Sequence, residues 1–498
     1  MCHCWLVQQW TLRISYALLD EPAVAPWMAM LGIAGAHRAT MSAELIISVS
    51  GLRGIVGESL TFDVARRYAT AFAAGLPAGP VVIGRDGRAS GPEFVRVIAE
   101  AFAASDGGRR VIDVGAASTP TVGVLVRDLH AAGGIQISAS HNPPQYNGIK
   151  LFNHEGRVIP AAAGQAVVDR YRNAGDLSPE ASGQRPAGAE TFKPEPLADP
   201  TSAHLKLIEA ICNVDRIRSK RFRVLLDANH GAGSVLGKVL LDHLGCEAVI
   251  LGATPDGAFA HTPEPTEANL AGVLKEVVER GMAIGFCQDP DADRLAIIDE
   301  RGRYIGEEKT PALCVDHVLR GGLRGPIVTN CSTSRMSEDL AAKYGVPFFR
   351  SKVGEANVVD KMLEVGALLG AEGNGGIIDP RVGLVRDSFV GMALVLDAMA
   401  ARDMPVSALA DELPAYAIHK TTIAVPSAAI PAALEKLALT FEEATPDRLD
   451  GLRLDWPGGA WLLVRPSNTE PIVRAIAEAP TAANARELCE RAAQAIAG

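Results

Sequence analysis

From residue 45 to about residue 415, short apolar runs alternate with amphipathic stretches, and this alternation limits the architecture more than any other feature of the chain. VVIGRDGR (81–88) reads as a strand and loop, and PEFVRVIAEAFAA (92–104) as a helix with one apolar face. RRVIDVG (109–115) is a second strand, TPTVGVLVRDLHA a helix with Pro120 in its first turn, and GGIQI the next strand. Strands that alternate with helices pair through crossovers, so an α/β fold with substantially parallel sheets is predicted.

The pattern breaks into units. A polar, Pro- and Gly-rich stretch from Asp176 to Pro200 reads as a linker. A second unit opens at RVLLDANHGAG (223–233) and closes with GMAIGFCQDPDADRLAIIDE. A third begins near RGRYIGEE and carries GPIVTNCSTS (325–334), FFRSKVGE (348–355) and AEGNGGIID (371–379). Each unit offers strands followed by polar loops, the pattern of a diverged threefold duplication. Residues 420–498 read as a small α+β domain containing WLLVRPSNTEPIVRAIAEA and an Ala-rich terminal helix, 481–496. The expected partition is domain I at 41–185, domain II at 200–300, domain III at 301–412 and domain IV at 418–498. Residues 1–40 hold three of the five tryptophans and lack strand or helix periodicity. They read as a non-native or disordered extension ahead of a start at Met41.

With 498 residues, the chain is too long for one ordinary domain. It contains no apolar run of about 18 residues, so no membrane span is expected. The net charge of −10 argues against a nucleic-acid partner, yet a local cationic pocket can still bind a small anion. The eight cysteines are scattered in apolar segments and read as buried free thiols of a reducing cytoplasm.

The loops hold the chemistry. In DPDADR (289–294), Asp289, Asp291 and Asp293 alternate, so an extended backbone would turn all three carboxylates one way. Three like charges together call for a cation, and hard oxygen ligands suit Mg²⁺. An EF-hand, which would place Glu300 at its twelfth position, is disfavoured because its sixth position would be Arg294 rather than Gly and its flanks read as strands. RPSNTEP (465–471) gathers Arg465, Ser467, Asn468 and Thr469, with Arg474 nearby, into an anion cradle suited to phosphate. SGLRG sets Arg53 between glycines, and GRDGRASG offers Asp86 and Arg88, read as a surface ion pair. KVGE (352–355) and AEGNGG (371–376) place Lys352, Glu372 and Asn374 in glycine loops after strands. SASHNPPQYNGIK (138–150) holds two serines, His141 and Lys150, with a Tyr-Asn-Gly turn expected to bring Lys150 back. Ser140 with His141 as its base is disfavoured, because sequence neighbours rarely align as a dyad and no G-x-S-x-G elbow surrounds them. A phosphorylated Ser140 fits better. It carries about −1.5 to −2 charge and would complete the cation site begun by the aspartates. Lys150 and Arg53 would stabilise a transferring phosphoryl group.

SGLRG, SASHNP, DPDADR, KVGE, AEGNGG and RPSNTEP, in that order over residues 44–498, resemble the motifs of the α-D-phosphohexomutase superfamily. The resemblance implies three similar α/β domains with mixed, largely parallel sheets, plus a C-terminal α+β domain, around a central cleft. It implies that Ser140 is a phosphoserine binding Mg²⁺ together with Asp289, Asp291 and Asp293. Lys150 and Arg53 match positions for proton transfer and charge stabilisation. Arg294 orients the metal loop or substrate, Lys352, Glu372 and Asn374 hold sugar hydroxyls, and the Arg465 loop grips the non-reacting phosphate. The substrate implied is a hexose phosphate, with hexose 1,6-bisphosphate as intermediate and activator, in a cytoplasmic monomer or homodimer. One position departs. Many relatives end the sugar loop in His, whereas here Gly376 stands there, which shifts acid–base work to Lys150, Arg53 and His141. Asn374 and SGLRG lean toward phosphoglucosamine mutases of archaeal type, with phosphomannomutase or phosphoglucomutase activity as the alternative. A phosphatase using the same serine and metal, or a non-catalytic sugar-phosphate sensor, are the rival readings.

Overall fold

The structure, a computed structural model, describes residues 44–105, 108–173, 192–467 and 472–497. The extension expected at residues 1–40 lies outside the described residues.

Four sheets are arranged along the chain. The first contains β1 (Ile46–Ser48), β2 (Gly51–Ile55), β3 (Val81–Arg85), β4 (Val111–Ala116), β5 (Gly133–Ile137), β6 (Tyr146–Asn153) and β7 (Glu195–Pro196). The second holds β8 (Arg223–Asp227), β9 (Glu247–Leu251), β10 (Ile284–Gln288) and β11 (Leu295–Asp299). The third holds β12 (Ile327–Asn330), β13 (Phe348–Ser351), β14 (Leu369–Glu372) and β15 (Gly376–Ile378). β5, β10, β11 and β12 are buried along their whole lengths, as expected of strands covered by helices on both faces.

One topology is used three times. The orders are β6-β5-β3-β4, β11-β10-β8-β9 and β15-β14-β12-β13. In each, three strands are parallel and the last is antiparallel to its neighbour. This is the structural counterpart of the duplication read in the sequence. In each repeat the third and fourth strands form a hairpin, and its loop carries a motif: 138–145, 289–294 and 373–375. Every one of these loops contains a left-handed residue, at Ser140 (φ +50°), Ala292 (φ +54°) or Gly375 (φ +80°). The first sheet is extended at one edge by the β1–β2 hairpin, which pairs with β6. SGLRG is therefore largely a strand, and Tyr146, Asn147 and Gly148 begin β6 rather than form the turn expected from sequence.

The fourth sheet is antiparallel throughout, in the order β16 (Ala417–Ala424), β20 (Ile472–Ala479), β19 (Trp461–Pro466), β18 (Leu452–Asp455), β17 (Thr445–Asp447). Its helices Ile430–Thr440 and Ala482–Ala497 pack on an apolar core of their own. The second and third sheets instead share one continuous core. The helix Ser388–Arg402 runs through that core, buried from Ser388 to Ala400, and contributes to both sides. No helix among the described residues is long and apolar enough to cross a membrane.

Gly51 sets the hairpin that carries Arg53. Its φ is +154°, and a Cβ there would lie 1.9 Å from the Ile149 carbonyl oxygen. Gly51→Ala must push β2 away from β6. The variant is expected to lose about 1–3 kcal/mol of unfolding free energy, read as a lower urea midpoint.

Candidate active site

Ser140 is buried in the loop after β5, in a backbone conformation rarely open to a residue with a Cβ. Its N–H donates to Ser138 Oγ at 2.8 Å, and the Ser138 hydroxyl donates to Asp86 Oδ2 at 2.7 Å. Arg88 Nε donates to the same oxygen at 3.0 Å. The other guanidinium nitrogens donate to the carbonyls of Ser140 (2.8 Å), Asn142 (2.6 Å), Pro143 (2.7 Å) and Tyr146 (3.0 Å). The reading of Asp86 and Arg88 as a surface pair is thus corrected. They are 0% and 2% exposed and form the frame on which the serine loop is built. The expectation that Ser140 and His141 would not meet is corrected as well. The left-handed turn brings Ser140 Oγ to 3.2 Å from His141 Nδ1. Burial, reinforced by Arg294 and Arg53, pushes the His141 pKa down to about 3, so the ring is neutral.

Ser140 Oγ also donates to Asp289 Oδ2 at 2.6 Å, joining the first two repeats. The aspartate segment is not extended, as the sequence reading supposed. It is a turn closed by Ala292 N–H to the Asp289 carbonyl at 2.9 Å, and this turn gathers the three carboxylates to within 4.8 Å of one another. Asp289 Oδ1 accepts the N–H groups of Asp293 and Arg294, each at 3.2 Å. Lys150 Nζ stands 2.8 Å from Asp293 and 3.4 Å from Asp291. Burial and the neighbouring negative charges raise the Asp289 pKa well above the carboxylate range. At Asp293 burial acts the same way, but Arg386, Lys150 and Arg294 outweigh it and hold the group ionised. Burial works against the Lys150 ammonium, yet Asp293 and Asp291 overcome it and raise its pKa. Among the described residues, Asp291 Oδ1 and Asp293 Oδ1 are buried without a hydrogen-bond partner. Unsatisfied buried carboxylate oxygens converging from one turn suit a hard divalent cation such as Mg²⁺.

A cleft of about 490 Å³ opens beside this centre, lined by residues of all four sheets' domains, among them Arg53, Lys150, Arg294, Glu372, Asn374 and Arg474. Arg53 Nη1 donates to Asn142 Oδ1 at 3.3 Å, and burial holds its pKa below the usual arginine value. Arg294 Nε lies 3.9 Å from Asp289 and 4.0 Å from Asp293. Arg465 faces Arg474 across the β19–β20 ladder and donates to Asp450 at 3.0 Å. The same Asp450 oxygen accepts Val353 N–H at 3.0 Å, linking the fourth sheet to the KVGE loop. Ser467 N–H donates to the Ile472 carbonyl at 3.0 Å, while Asn468 and Thr469 lie outside the described residues. Lys352 is exposed beside Val353 and Gly354, which line the cleft. Glu372 is occupied at both oxygens, by Asn330 (2.7 Å) and Gly354 N–H (3.2 Å) on one and by Arg386 (2.5 Å) on the other. Asn374 Oδ1 accepts Gly376 N–H at 3.2 Å.

Sequence reasoning missed Arg386, Thr119 and Glu308. Arg386 bonds Asp293 and Glu372, each at 2.5 Å, and its backbone N–H bonds Glu355 at 2.8 Å. A Cβ at Gly376 would lie 2.3 Å from Arg386 Cδ, so the bare position at the end of the AEGNGG loop is where this arginine passes. That departure was its signal. The Thr119 hydroxyl donates to Asp291 Oδ2 at 2.6 Å, and no local pattern announces it. Glu308 lines the cleft against the AEGNGG loop, and a Cβ at Gly373 would meet its Oε2 at 2.2 Å.

Three copies of one α/β topology and an antiparallel fourth domain, closing on a cationic cleft beside a carboxylate triad, define a phosphohexomutase. The comparisons agree. Residues 45–177, 202–302 and 307–416 match alpha/beta/alpha domains I, II and III of phosphoglucomutase/phosphomannomutase, and residues 423–495 match its C-terminal domain. The chain belongs to this family, within the α-D-phosphohexomutase superfamily. It is 36% identical to a phosphoglucomutase/phosphomannomutase of Thermococcus kodakarensis, over 88% of this chain and 96% of that protein. It is 31% identical to a probable phosphoglucosamine mutase of Methanopyrus kandleri, over 88% of this chain and 95% of that one. The crystal structure of a putative phosphomannomutase from Thermus thermophilus matches with a TM-score of 0.76 at 25% identity, over 92% of this chain and all of that one.

Arg88 offers a direct check on the serine loop. Arg88→Met strands Asp86 in the interior and frees four carbonyls. It is expected to cost about 3–5 kcal/mol in urea unfolding and to lower kcat more than it raises KM.

Proposed function

We propose that the chain is a phosphoglucosamine mutase, interconverting glucosamine 6-phosphate and glucosamine 1-phosphate. The observation that carries this choice is the acidic wall of the cleft. Among the described residues Glu308 Oε1 is buried with no hydrogen-bond partner, and Lys420 Nζ stands 3.5 Å away. A carboxylate so placed beside the sugar loop suits an ammonium better than a neutral hydroxyl. Relatives named as probable phosphoglucosamine mutases support the same reading. The relative named phosphoglucomutase/phosphomannomutase favours mannose and glucose phosphates as additional substrates.

In this reading phospho-Ser140 gives its phosphoryl group to the free hydroxyl of the sugar monophosphate. The bisphosphate then turns within the cleft and returns its other phosphoryl group to Ser140. Asp289, Asp291, Asp293 and the Ser140 phosphate would hold Mg²⁺, which supplies charge neutralisation for the transferring group. Lys150 and Arg53 stabilise negative charge at that end. His141, neutral, stands 3.2 Å from Ser140 Oγ and orients it. Arg465, Arg474, Ser467, Asn468 and Thr469 grip the phosphate that is not reacting, so both binding modes share one anchor. Lys352, Glu372 and Asn374 border the sugar.

The purified protein is expected to carry one phosphate on Ser140, to lose turnover in Ser140→Ala, and to need a hexose 1,6-bisphosphate to restart once dephosphorylated. Its kcat/KM should be higher for glucosamine phosphate than for mannose or glucose phosphate; equal or greater activity on mannose phosphate overturns the substrate assignment.

The pH dependence supplies a second check. Burial raises the Glu308 pKa to about 7, against the pull of Lys420 and Ser334 N–H. Above that pH the carboxylate attracts the amine, and below it the attraction is lost. KM for glucosamine phosphate is therefore expected to rise as pH falls through about 7. KM for mannose phosphate should not follow, and Glu308→Gln should remove the difference.

A further inference from the structure

The turn that carries the three aspartates is gripped from two sides by segments of other repeats. On one side lies the start of the helix Thr119–Asp128. The Thr119 hydroxyl bonds Asp291 Oδ2 at 2.6 Å, and Thr119 N–H bonds the Asp291 carbonyl at 2.9 Å. On the other side lies the start of the helix Ser388–Arg402. Arg386 bonds Asp293 at 2.5 Å, and the Ser388 hydroxyl bonds the carbonyl of Ala292, the left-handed residue of the turn, at 2.7 Å.

These two grips are joined behind the turn by a single side chain. His204, on the helix Ser202–Glu209, is fully buried. Its Nδ1 lies 3.0 Å from Thr121 Oγ1, two residues beyond Thr119, and its Nε2 lies 2.7 Å from Asp387 Oδ2, between Arg386 and Ser388. Both ends of the link are themselves tied. Ser118 and Thr121 share a hydroxyl–hydroxyl bond of 2.7 Å, and Asp387 Oδ1 accepts the N–H groups of Phe389 and Val390 at 2.9 and 3.2 Å. With Nε2–H donating to Asp387 and Nδ1 accepting from Thr121, the chain Ser118, Thr121, His204, Asp387 and the helix N-terminus is satisfied throughout.

We propose that His204 is a positioning residue of the metal turn, fixing the separation of the two grips and hence the spacing of Asp291 and Asp293. A histidine that merely satisfied its own burial would need two partners, but not two partners adjacent to the residues that hold the aspartates. The hydrogen bonds run through three repeats, so a shift of the Thr119 helix relative to Arg386 must pass through the imidazole. The proposal rests on the reading of the aspartate turn as a metal site, and its effect is on metal affinity rather than on substrate binding.

The test titrates Mn²⁺ into the purified protein and reads free Mn²⁺ by its paramagnetic resonance, alongside thermal unfolding and steady-state kinetics. Thr121→Val removes one hydroxyl from the link at nearly constant volume. It is expected to weaken Mn²⁺ binding about tenfold and to raise the Mg²⁺ needed for half-maximal activity by a similar factor. KM for the sugar phosphate should stay near the wild-type value. Thr121→Ser, which keeps the hydroxyl, should restore both. His204→Ala should weaken Mn²⁺ binding at least as much, and the double variant should be no weaker than His204→Ala alone, because the two act through one chain. Should His204→Ala not fold, the Thr121 pair decides the matter. Wild-type Mn²⁺ affinity in Thr121→Val, or equal loss in Thr121→Ser, overturns the brace. So does a purely additive double variant. If the wild-type protein binds no Mn²⁺ at all, while Asp289→Asn behaves identically, the metal reading fails and the brace with it.

Discussion

Three carboxylates cannot be buried within 4.8 Å of one another unless positive charge accompanies them, and much of the architecture follows from supplying it. Lys150 comes from the first sheet and Arg386 from the loop leading out of the third, and both touch Asp293. Arg294 comes from the turn itself. The result is uneven. Asp293 is held ionised by three cations, while Asp289, which has the Ser140 hydroxyl and backbone N–H groups around it, is raised. Asp291 shares Lys150 with Asp293 and takes its shortest hydrogen bond from a neutral threonine. The carboxylate bonded to the serine thus has one cation within 4 Å, Arg294, where Asp293 has three.

A repeated topology explains how such distant residues can meet. In each α/β repeat the hairpin between the third and fourth strands projects from the same end of the sheet, with one left-handed residue at its tip. Three such hairpins facing one cleft supply a serine loop, an aspartate turn and the glycine-rich AEGNGG loop. They also touch each other: a Cβ at Gly375 would lie 2.2 Å from the Leu295 carbonyl, so the third loop packs on the root of the second. The glycine there serves both its left-handed φ and this close approach.

Much of this was legible in the sequence, and the exceptions share a cause. Ser140, the aspartates and Lys150 were found because their motifs are local, and the structure brings them together. Asp86 and Arg88 were read as a surface pair because an i, i+2 ion pair looks the same whether it is exposed or buried. Only the tertiary contacts, four carbonyls more than 50 positions away, show which it is. The aspartates were expected on an extended segment since alternation suits a strand, but a turn with a left-handed Ala292 brings them together as well. Thr119 and Arg386 act across 172 and 93 residues of chain, and no spacing rule reaches that far. Gly376 was noticed as a missing histidine, and its physical meaning is the opposite of loss: the space belongs to Arg386.

The two ends of the cleft are anchored differently. Beside the aspartates the second and third sheets share one core through the helix Ser388–Arg402, and buried charge ties the first sheet to the second through Lys150 and Asp293. The fourth sheet has its own core and meets the third through a small cluster of Cys331, Trp461, Leu463 and Ile476. Arg453, stacked 4.1 Å over Trp461, donates to the Cys331 carbonyl at 2.6 Å, and Glu478 accepts Arg335 N–H at 3.0 Å. The Asp450 link to Val353 adds one further bond, next to Arg465, which donates to the same Asp450 oxygen. A rigid frame at the serine preserves the alignment that phosphoryl transfer requires. The fourth domain, with a core of its own, meets that frame through the Cys331 cluster and these polar bonds, so the wall carrying Arg465 and Arg474 is a separately packed unit.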